Sequence, residues 1–358
     1  MNLFKISQYG VFTTAISALA SLALLFLINN TMGVEASSDI RYVYNWALSL
    51  SIILCFGWDS AIVRVSQREA KQIYRLTSGA IPIFSLLLCL IYYYYSTHKI
   101  ILMLALALSF VSVLLKYNYY RSNNDFKKYI LGINIYDKIF RLLLFVVLIY
   151  FFDNNVLLLF TVLYVVCQIR LRKFNLTGAI KGWGIYIKGV IKPINLGFLL
   201  AGAYMIFMSR GIYLTGSTLN IEELRGVDFV LLLSAFLFVP IQTISKFHEV
   251  SGNEDEKVYL TNESSRAQLK VVMMESIIFL SILFIVLLLD EMFLGEKISS
   301  IILVGVLSII VLMSTFPNPA QILTANKSFS ALFIIFVIVS TLLFSSGYIE
   351  LFVNKALL

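Results

Sequence analysis

Charged side chains inside long apolar stretches are the residues of this sequence whose chemistry stands out. The clearest is Arg210, which the uncharged stretch Ile194–Ser209 precedes and Gly211–Leu214 follows. A charge near the centre of a bilayer costs roughly 2.5–3.5 kcal/mol on insertion scales, so it needs a partner or a polar cavity. A guanidinium group binds phosphate oxygens through paired hydrogen bonds. Arg210 is therefore a candidate binder of an anionic substrate.

A second group of charges lies in one predicted helix. Asp137 and Arg141 are four residues apart and share a helix face, so they can pair, while Lys138 points about 100° away from Asp137. Asp137 and Arg141 form either a structural ion pair or part of a cavity shared with Arg210. Because only Asp137 is well placed to neutralise a cation, the excess positive charge predicts that Arg210, Arg141 and Lys138 bind the substrate. Asp137 would then serve ion coupling or structure.

Asp59 and Arg64 lie near the end of another apolar stretch, which begins at Val43. Arg64 has two interpretations. It is either a basic flank on the cytoplasmic side of a membrane helix or, with Asp59, part of an ion-coupling or structural pair.

Other motifs do not point to catalysis. The sequence has no Walker loop, nucleophile elbow or zinc-binding H-E-x-x-H, and His98 and His248 lie at opposite predicted interfaces. The three cysteines are dispersed in apolar runs, without the spacing of metal ligands or of a disulfide framework. We expect a protein that is not an enzyme and has no metal or cofactor.

The elements that must hold these charges follow from composition. Hydrophobic residues make up 59% of the 358 residues and charged residues only 13%, against about 25% charged in soluble domains. About 20 apolar residues cross a bilayer as a helix. The sequence thus predicts an all-α, polytopic integral membrane protein with about eleven transmembrane helices. They are Tyr9–Ile28, Val43–Val63, Gly79–Tyr95, Ile100–Leu115, Tyr129–Phe151, Val156–Ile169, Ile194–Leu214, Phe229–Ile244, Val271–Leu289, Ile298–Met313 and Phe329–Phe344.

The basic residues predict the orientation of these helices. Predicted cytoplasmic loops hold about four times as many Lys and Arg residues as the loops on the other side, which places the N-terminus in the cytoplasm and the C-terminus outside. The net charge of +8 then reflects topology rather than nucleic-acid binding. The segment Gly182–Lys192 is either an amphipathic helix on the inner membrane surface or a simple linker.

Hydropathy and spacing repeat in parallel along the two halves of the chain. In the first half Gly10 opens a helix and Arg41 lies in the following loop, and Gly197 and Arg225 take the same places in the second half. This repeat predicts two lobes around a central cavity. We assign a six-helix lobe to residues 1–170, a cytoplasmic linker to 171–193 and a lobe of about five helices to 194–358.

Short motifs along the whole sequence carry a family resemblance. They are Gly10, Gly57-Trp58-Asp59-Ser60-Ala61-Ile62-Val63-Arg64, Tyr120-Arg121, Asp125-Phe126-Lys127-Lys128-Tyr129, Lys192-Pro193, Ser209-Arg210 and Leu294-Gly295. With these motifs the chain resembles the O-antigen type of polysaccharide flippase in the multidrug/oligosaccharidyl-lipid/polysaccharide exporter superfamily. That family has at least twelve helices, so this chain is naturally short, is truncated, or contains one helix more than predicted.

The resemblance implies a function in the bacterial cytoplasmic (inner) membrane. Such proteins translocate undecaprenyl-pyrophosphate-linked oligosaccharide repeat units by alternating access, for lipopolysaccharide and other polysaccharides. The implied partners are the lipid-linked oligosaccharide, membrane lipids and a polysaccharide polymerase. The alternatives are a polymerase or ligase of the same pathway and a small-molecule exporter of the same superfamily.

The predicted role of Arg210 gives a direct test. Arg210→Ala removes the cation, so we expect glycan export to stop while the protein stays inserted and abundant. Arg210→Lys keeps a point charge without the planar fork and should retain part of the export. Full export by the alanine variant, measured as surface polysaccharide, would contradict the assignment.

Overall fold

The structure is a computed structural model of the chain. It describes residues 43–77, 79–95, 99–123, 125–132, 156–169, 176–192, 195–200 and 202–203, together with Thr13, Ile16, Ala20, Ile40, Leu143, Ile334 and Val337. Every regular element within these residues is helical. The helices are α1 (Val43–Leu54), α2 (Trp58–Ala61), α3 (Gln67–Thr77), α4 (Ala80–Tyr95), α5 (Lys99–Ser122), α6 (Phe126–Leu131), α7 (Val156–Val166) and α8 (Leu176–Val190). Residues 195–200 are also helical.

Two stretches of the described chain are long and apolar enough to cross a membrane. One is the 29-residue stretch Gln67–Tyr95, which contains α3 and α4, and the other is α5, with 24 residues. These stretches meet the criterion by length and composition alone. They support a helical protein with apolar spans, and the total of eleven helices stays a prediction.

The predicted helices agree with the described ones in different degrees. Gly79–Tyr95 is confirmed as α4, and Ile100–Leu115 is confirmed as the first two-thirds of α5, which continues to Ser122. The prediction of one continuous helix over Val43–Val63 is wrong, because α1 ends at Leu54 and the backbone turns before α2. The predicted Tyr9–Ile28, most of Tyr129–Phe151 and nearly all of the second half lie outside the described residues.

α5 is the central helix of this part of the molecule, because α2, α3, α4, α6 and α7 all pack against it. Its first half joins α1 and α7 in an apolar cluster around Leu106 and Phe110. Its second half packs with α2, α3 and α8 in a further cluster around Val111 and Leu115. α4 and α5 run antiparallel, since Cys89 and Leu102 meet near the start of α5 while Thr77, just before α4, meets Ser112 farther along.

The outer face of α4 is apolar and exposed. Phe84, Leu87 and Ile91 recur at three- and four-residue intervals, so they form one stripe along the helix. The opposite face, which includes Ser85 and Cys89, is buried. Soluble proteins rarely expose an apolar stripe of this length without covering it.

Polar residues, by contrast, are buried between the helices. The buried set within the described residues includes Ser49, Ser51, Thr77, Ser85, Ser109, Ser112, Lys116, Asn118, Arg121, Thr161 and Gln168. Most of the hydroxyl groups donate to a backbone carbonyl one turn earlier or on a neighbouring helix, as Ser85 does to Ile81. The described bundle therefore combines a partly polar interior with apolar outer faces.

The packing predicts different tolerance at two leucines. Leu106 is fully buried in the cluster on α5, whereas Leu87 is exposed on the outer face of α4. Leu106→Ala should lower the free energy of unfolding by about 2–5 kcal/mol because it leaves a cavity. Leu87→Ala should change that free energy by no more than about 0.5 kcal/mol. Denaturation in detergent micelles measures both, and equal losses would contradict the described packing.

Candidate functional site

A break in the backbone separates α1 from α2 and carries two unusual conformations. Phe56 has φ 48° and Gly57 has φ 74°, both in the left-handed region. A non-glycine residue with positive φ is strained and needs support from its surroundings. We call residues Cys55–Gly57 the helix break. It lies within the predicted helix Val43–Val63 and ends at Gly57, the first residue of the Gly57–Arg64 motif.

Two side chains from distant parts of the chain hold the helix break. The Asn195 Nδ2 group donates to the Phe56 carbonyl at 3.4 Å, and the Tyr186 hydroxyl donates to the Leu54 carbonyl. Both acceptors are backbone groups whose helical partners the break has removed. Burial raises the pKa of the Tyr186 hydroxyl far above its usual range, and nearby Cys55 and Asp59 raise it further. The hydroxyl therefore stays a donor at any physiological pH.

Trp58 joins the helix break to α8. Its ring is fully buried and stacks on Tyr186, with ring centroids 6.4 Å apart and an interplanar angle of 19°. Its indole N–H donates to the Tyr186 carbonyl at 3.0 Å. A Cβ at Gly189 would lie 2.0 Å from the Trp58 ring, so only glycine allows this approach. The packing connects the end of α1 to a helix that begins more than a hundred residues later.

The structure places two predicted site residues beside this break. Asp59 is half-buried in the first turn of α2, and its carboxylate accepts from the Ser60 hydroxyl at 3.4 Å. Arg64 is exposed, and its guanidinium lies 5.0 Å from the centroid of the Phe198 ring. That geometry is a cation–π contact with the segment after α8. Asp59 thus lies beside the break, whereas Arg64 lies at the surface against residues 195–200.

A second polar cluster lies on the last turns of α5. Lys116 and Arg121 are only 3% and 2% exposed. The Lys116 ammonium donates to Gln168 Oε1 at 3.0 Å and lies 4.2 Å from the centroid of the Tyr117 ring. Arg121 donates to Asn118 Oδ1 at 3.3 Å. We call Lys116, Asn118, Arg121 and Gln168 the cationic cluster.

The sequence does not predict the cationic cluster, because the apolar run ends at Leu115 and places Lys116 and Arg121 in a predicted loop. A signal was present, however. Ser109, Ser112 and Lys116 follow one another at three- and four-residue intervals, which places them on one helix face. In the structure Ser109 donates to the Tyr164 carbonyl at 3.0 Å and Ser112 to the Thr77 carbonyl at 2.8 Å. These bonds extend the cationic cluster into a polar face along α5.

The cationic cluster lies at one end of α5. Lys116 follows Lys99 by 17 residues, which is roughly 25 Å along a helix axis, and Arg121 lies about 33 Å along it. A bilayer core is about 30 Å thick. In a membrane, Lys116 would therefore lie just inside the apolar boundary and Arg121 at the boundary itself.

Most cations of the described chain gather at this same end. Gln67 donates to the Ser122 carbonyl at 2.9 Å, so the start of α3 meets the end of α5. Exposed basic residues on the elements at this end are Arg64, Arg68, Lys71, Lys127 and Lys128, and α8, which packs on α3, adds the exposed Lys181, Lys188 and Lys192. In the described residues the opposite end of α5 has Lys99 as its basic residue, beside the tyrosines Tyr92–Tyr95 at the end of α4.

One motif of the family resemblance has a structural role here. Asp125 is the N-cap of α6, and its carboxylate accepts from the Lys128 backbone N–H at 3.3 Å and from the Lys128 ammonium at 2.5 Å. The side-chain hydrogen bond lowers the pKa of Asp125 and raises that of Lys128. These contacts fix the start of α6. They give the Asp-Phe-Lys-Lys motif a structural role that requires no substrate.

The remaining predicted site residues, Arg210, Arg141, Lys138 and Asp137, lie outside the described residues. Their shared cavity therefore stays a prediction. Among the described residues, no group of three or more His, Cys, Asp or Glu side chains is arranged to hold a metal ion. The three cysteines are free thiols, with Cys55 and Cys89 buried.

Comparison with protein families, characterised proteins and solved structures finds no match to this chain. The resemblance to polysaccharide flippases thus stays an inference from the sequence motifs.

The helix break predicts contrasting effects at two glycines. Gly57→Ala places a Cβ at positive φ and 2.0 Å from the Asn195 carbonyl oxygen, so the backbone has to shift. We expect a loss of about 2 kcal/mol or more in the free energy of unfolding. Gly184 is an exposed helical glycine whose Cβ would meet nothing within 4 Å. Gly184→Ala should leave stability unchanged or raise it by about 0.5–1 kcal/mol. Thermal unfolding of both variants in detergent tests the contrast, and a stable Gly57→Ala protein would refute the described break.

Proposed function

We propose that this chain is a multi-pass protein of the bacterial cytoplasmic membrane that carries a lipid-linked, undecaprenyl-pyrophosphate-type oligosaccharide across the bilayer without catalysing a reaction. The single observation that carries the proposal is the pair of buried cations, Lys116 and Arg121, at one end of the apolar helix α5. Ionisable residues buried among apolar helices are expensive, and in membrane proteins they mark the paths of substrates and ions.

The distribution of polar and apolar side chains supports a membrane location. The outer face of α4 exposes Phe84, Leu87 and Ile91, while hydroxyl and charged groups lie inside the bundle. Lipid solvates such apolar faces without cost, and buried polar groups then hydrogen-bond between helices. The run Tyr92–Tyr95 at the end of α4 is typical of the aromatic belt at a membrane interface.

The basic end of the described bundle supports the predicted orientation. Exposed lysines and arginines surround the ends of α5 and α3, whereas Lys99 lies at the other end. Cytoplasmic ends of membrane helices carry such an excess of basic residues. On this proposal the cationic cluster faces the cytoplasm, where a lipid-linked pyrophosphate substrate is synthesised and must first bind.

The chemistry of the cluster suits an anionic head group. The guanidinium of Arg121 can form paired hydrogen bonds with phosphate oxygens, and the ammonium of Lys116 adds a mobile point charge. Among the hydrogen-bond partners of these cations are two neutral carboxamides, Gln168 for Lys116 and Asn118 for Arg121. These groups can release the cations to a phosphate and take them back afterwards, as reversible loading requires. The lipid tail would stay in the bilayer alongside the exposed apolar faces.

In this mechanism the cationic cluster captures the substrate from the cytoplasmic side, and deeper cations receive it. Arg210, Arg141 and Lys138 are the proposed residues for that second stage. Alternating access of two lobes would move the head group from one set to the other. Such a transfer needs no covalent step, which is why we propose a carrier rather than a polymerase or ligase.

A charge-removing variant tests the proposal. Lys116→Gln keeps a polar side chain of similar length but removes the cation, so export of the lipid-linked glycan should fall at least tenfold. Lys116→Arg keeps the charge and should restore part of it. The matched control is Lys127→Gln, which removes an exposed cation at the same end and should leave export close to normal.

Export is measured as surface glycan in cells, together with the amount of inserted protein. Normal export by an abundant Lys116→Gln protein would contradict the proposal. If Lys116→Gln and Lys116→Arg both lower the amount of inserted protein, Lys116 serves packing alone. That result also contradicts the proposal.

A further inference from the structure

α8 has three distinct faces around its axis. The buried face consists of Gly178, Ala179, Gly182, Tyr186 and Gly189, at the three- and four-residue spacing of one side of a helix. It packs on α3, where a Cβ at Gly182 would lie 2.6 Å from the Gln72 carbonyl oxygen. The row of small residues lets the two helix backbones approach closely.

The second face of α8 is apolar and exposed. Its residues are Ile180, Trp183 and Ile187, continued by Ile191 just after the helix ends. Ile180 and Ile187 are 63% and 60% exposed. The intervals of three and four residues align them in one stripe, which we call the apolar stripe of α8. If α8 only had to pack on α3, this exposed face would carry polar residues.

The third face is basic. Lys181, Lys188 and Lys192 recur at seven- and four-residue intervals and are all exposed. At 100° per residue they lie about 115° around the axis from the centre of the apolar stripe. Lysines at the border of an apolar stripe can keep their ammonium groups among lipid phosphates while their methylene chains lie on the apolar surface.

We infer that the apolar stripe of α8 docks into the anionic inner surface of the membrane. The inference goes beyond transport, but it rests on the membrane location in the proposed function. An apolar stripe with lysines on its border and a length of 15 residues fits a helix lying in the plane of the interface. Charge complementarity selects the anionic leaflet, because each lysine near such a surface contributes about a fivefold preference.

The place of α8 in the molecule agrees with this assignment. α8 packs on α3 and on Trp58, at the end of the described bundle that carries the other exposed cations. This is the cytoplasmic end in the proposed orientation. The sequence left an inner-surface helix and a linker as alternatives, and the exposed stripe favours the first.

The test uses the full-length protein, with its three cysteines replaced by alanine, in lipid nanodiscs. Single cysteines labelled with bimane report the surroundings of three positions: Ile187→Cys on the apolar stripe, Lys181→Cys on the basic face and Leu87→Cys on α4. Lipids carrying a nitroxide near the head group or along the acyl chain quench labels in the bilayer, and aqueous iodide quenches labels in water. The nanodiscs contain either purely zwitterionic lipid or about a third anionic lipid.

In anionic nanodiscs we expect nitroxide along the acyl chain to quench the label at residue 187 at least threefold more strongly than the label at residue 181. Iodide should give the reverse order. A variant with Lys188→Gln and Lys192→Gln should lose most of the dependence on anionic lipid at residue 187.

Three results would overturn the inference. Strong iodide quenching at residue 187 would show a helix in water, and shielding from both quenchers would show that protein, from this chain or a second copy, covers the stripe. Equal quenching in both lipid compositions would refute the role of the lysines. The label at residue 87 separates these failures from a failure of the proposed function: it should be quenched by acyl-chain nitroxide in every case, unless the chain is not embedded.

Discussion

The described bundle depends on one constraint, which is that the polar face of α5 must find partners among apolar helices. Ser109 bonds to α7, Ser112 to the end of α3, and Lys116 to Gln168 just beyond α7. A buried polar group without a partner costs several kcal/mol in an apolar surrounding. The three bonds therefore fix the depth and rotation of α3 and α7 against α5, which apolar contacts alone specify only loosely. The same requirement applies to the cation of Lys116, which is buried inside the bundle with Gln168 as a hydrogen-bond acceptor.

The parts that the sequence predicted share a simple physical origin. α4 and the first two-thirds of α5 are continuous apolar runs, so length and composition suffice to find them. The end of α5 was missed because a lysine after a long apolar run is typical of a helix flank, and only tertiary packing decides whether it is buried. Gly57 does not indicate the helix break either, since a glycine in an apolar run is tolerated in a straight helix. Its positive φ follows from contacts with Asn195, far away in sequence.

The cationic cluster and the predicted deeper cations differ in what supports them. Lys116 and Arg121 have described burial and partners, whereas Arg210, Arg141 and Lys138 are predicted from helix spacing and family resemblance. Spacing reveals which residues share a face of one helix, but not which helices face one another. A cavity formed between two lobes is therefore beyond what periodicity alone can establish.

The helix break links the proposed membrane-surface helix to the proposed transport path. Trp58 packs on Gly189 of α8, and the Phe56 carbonyl accepts from Asn195, at the start of the segment predicted to open the second lobe. A movement of that segment would pull on the break, and the break adjoins α1, α5 and α8 together. A helix held at the membrane surface gives such a movement a fixed reference, because it resists displacement along the membrane normal. Strain at Phe56 then has a physical use, since a strained joint changes conformation at lower cost than the middle of a regular helix.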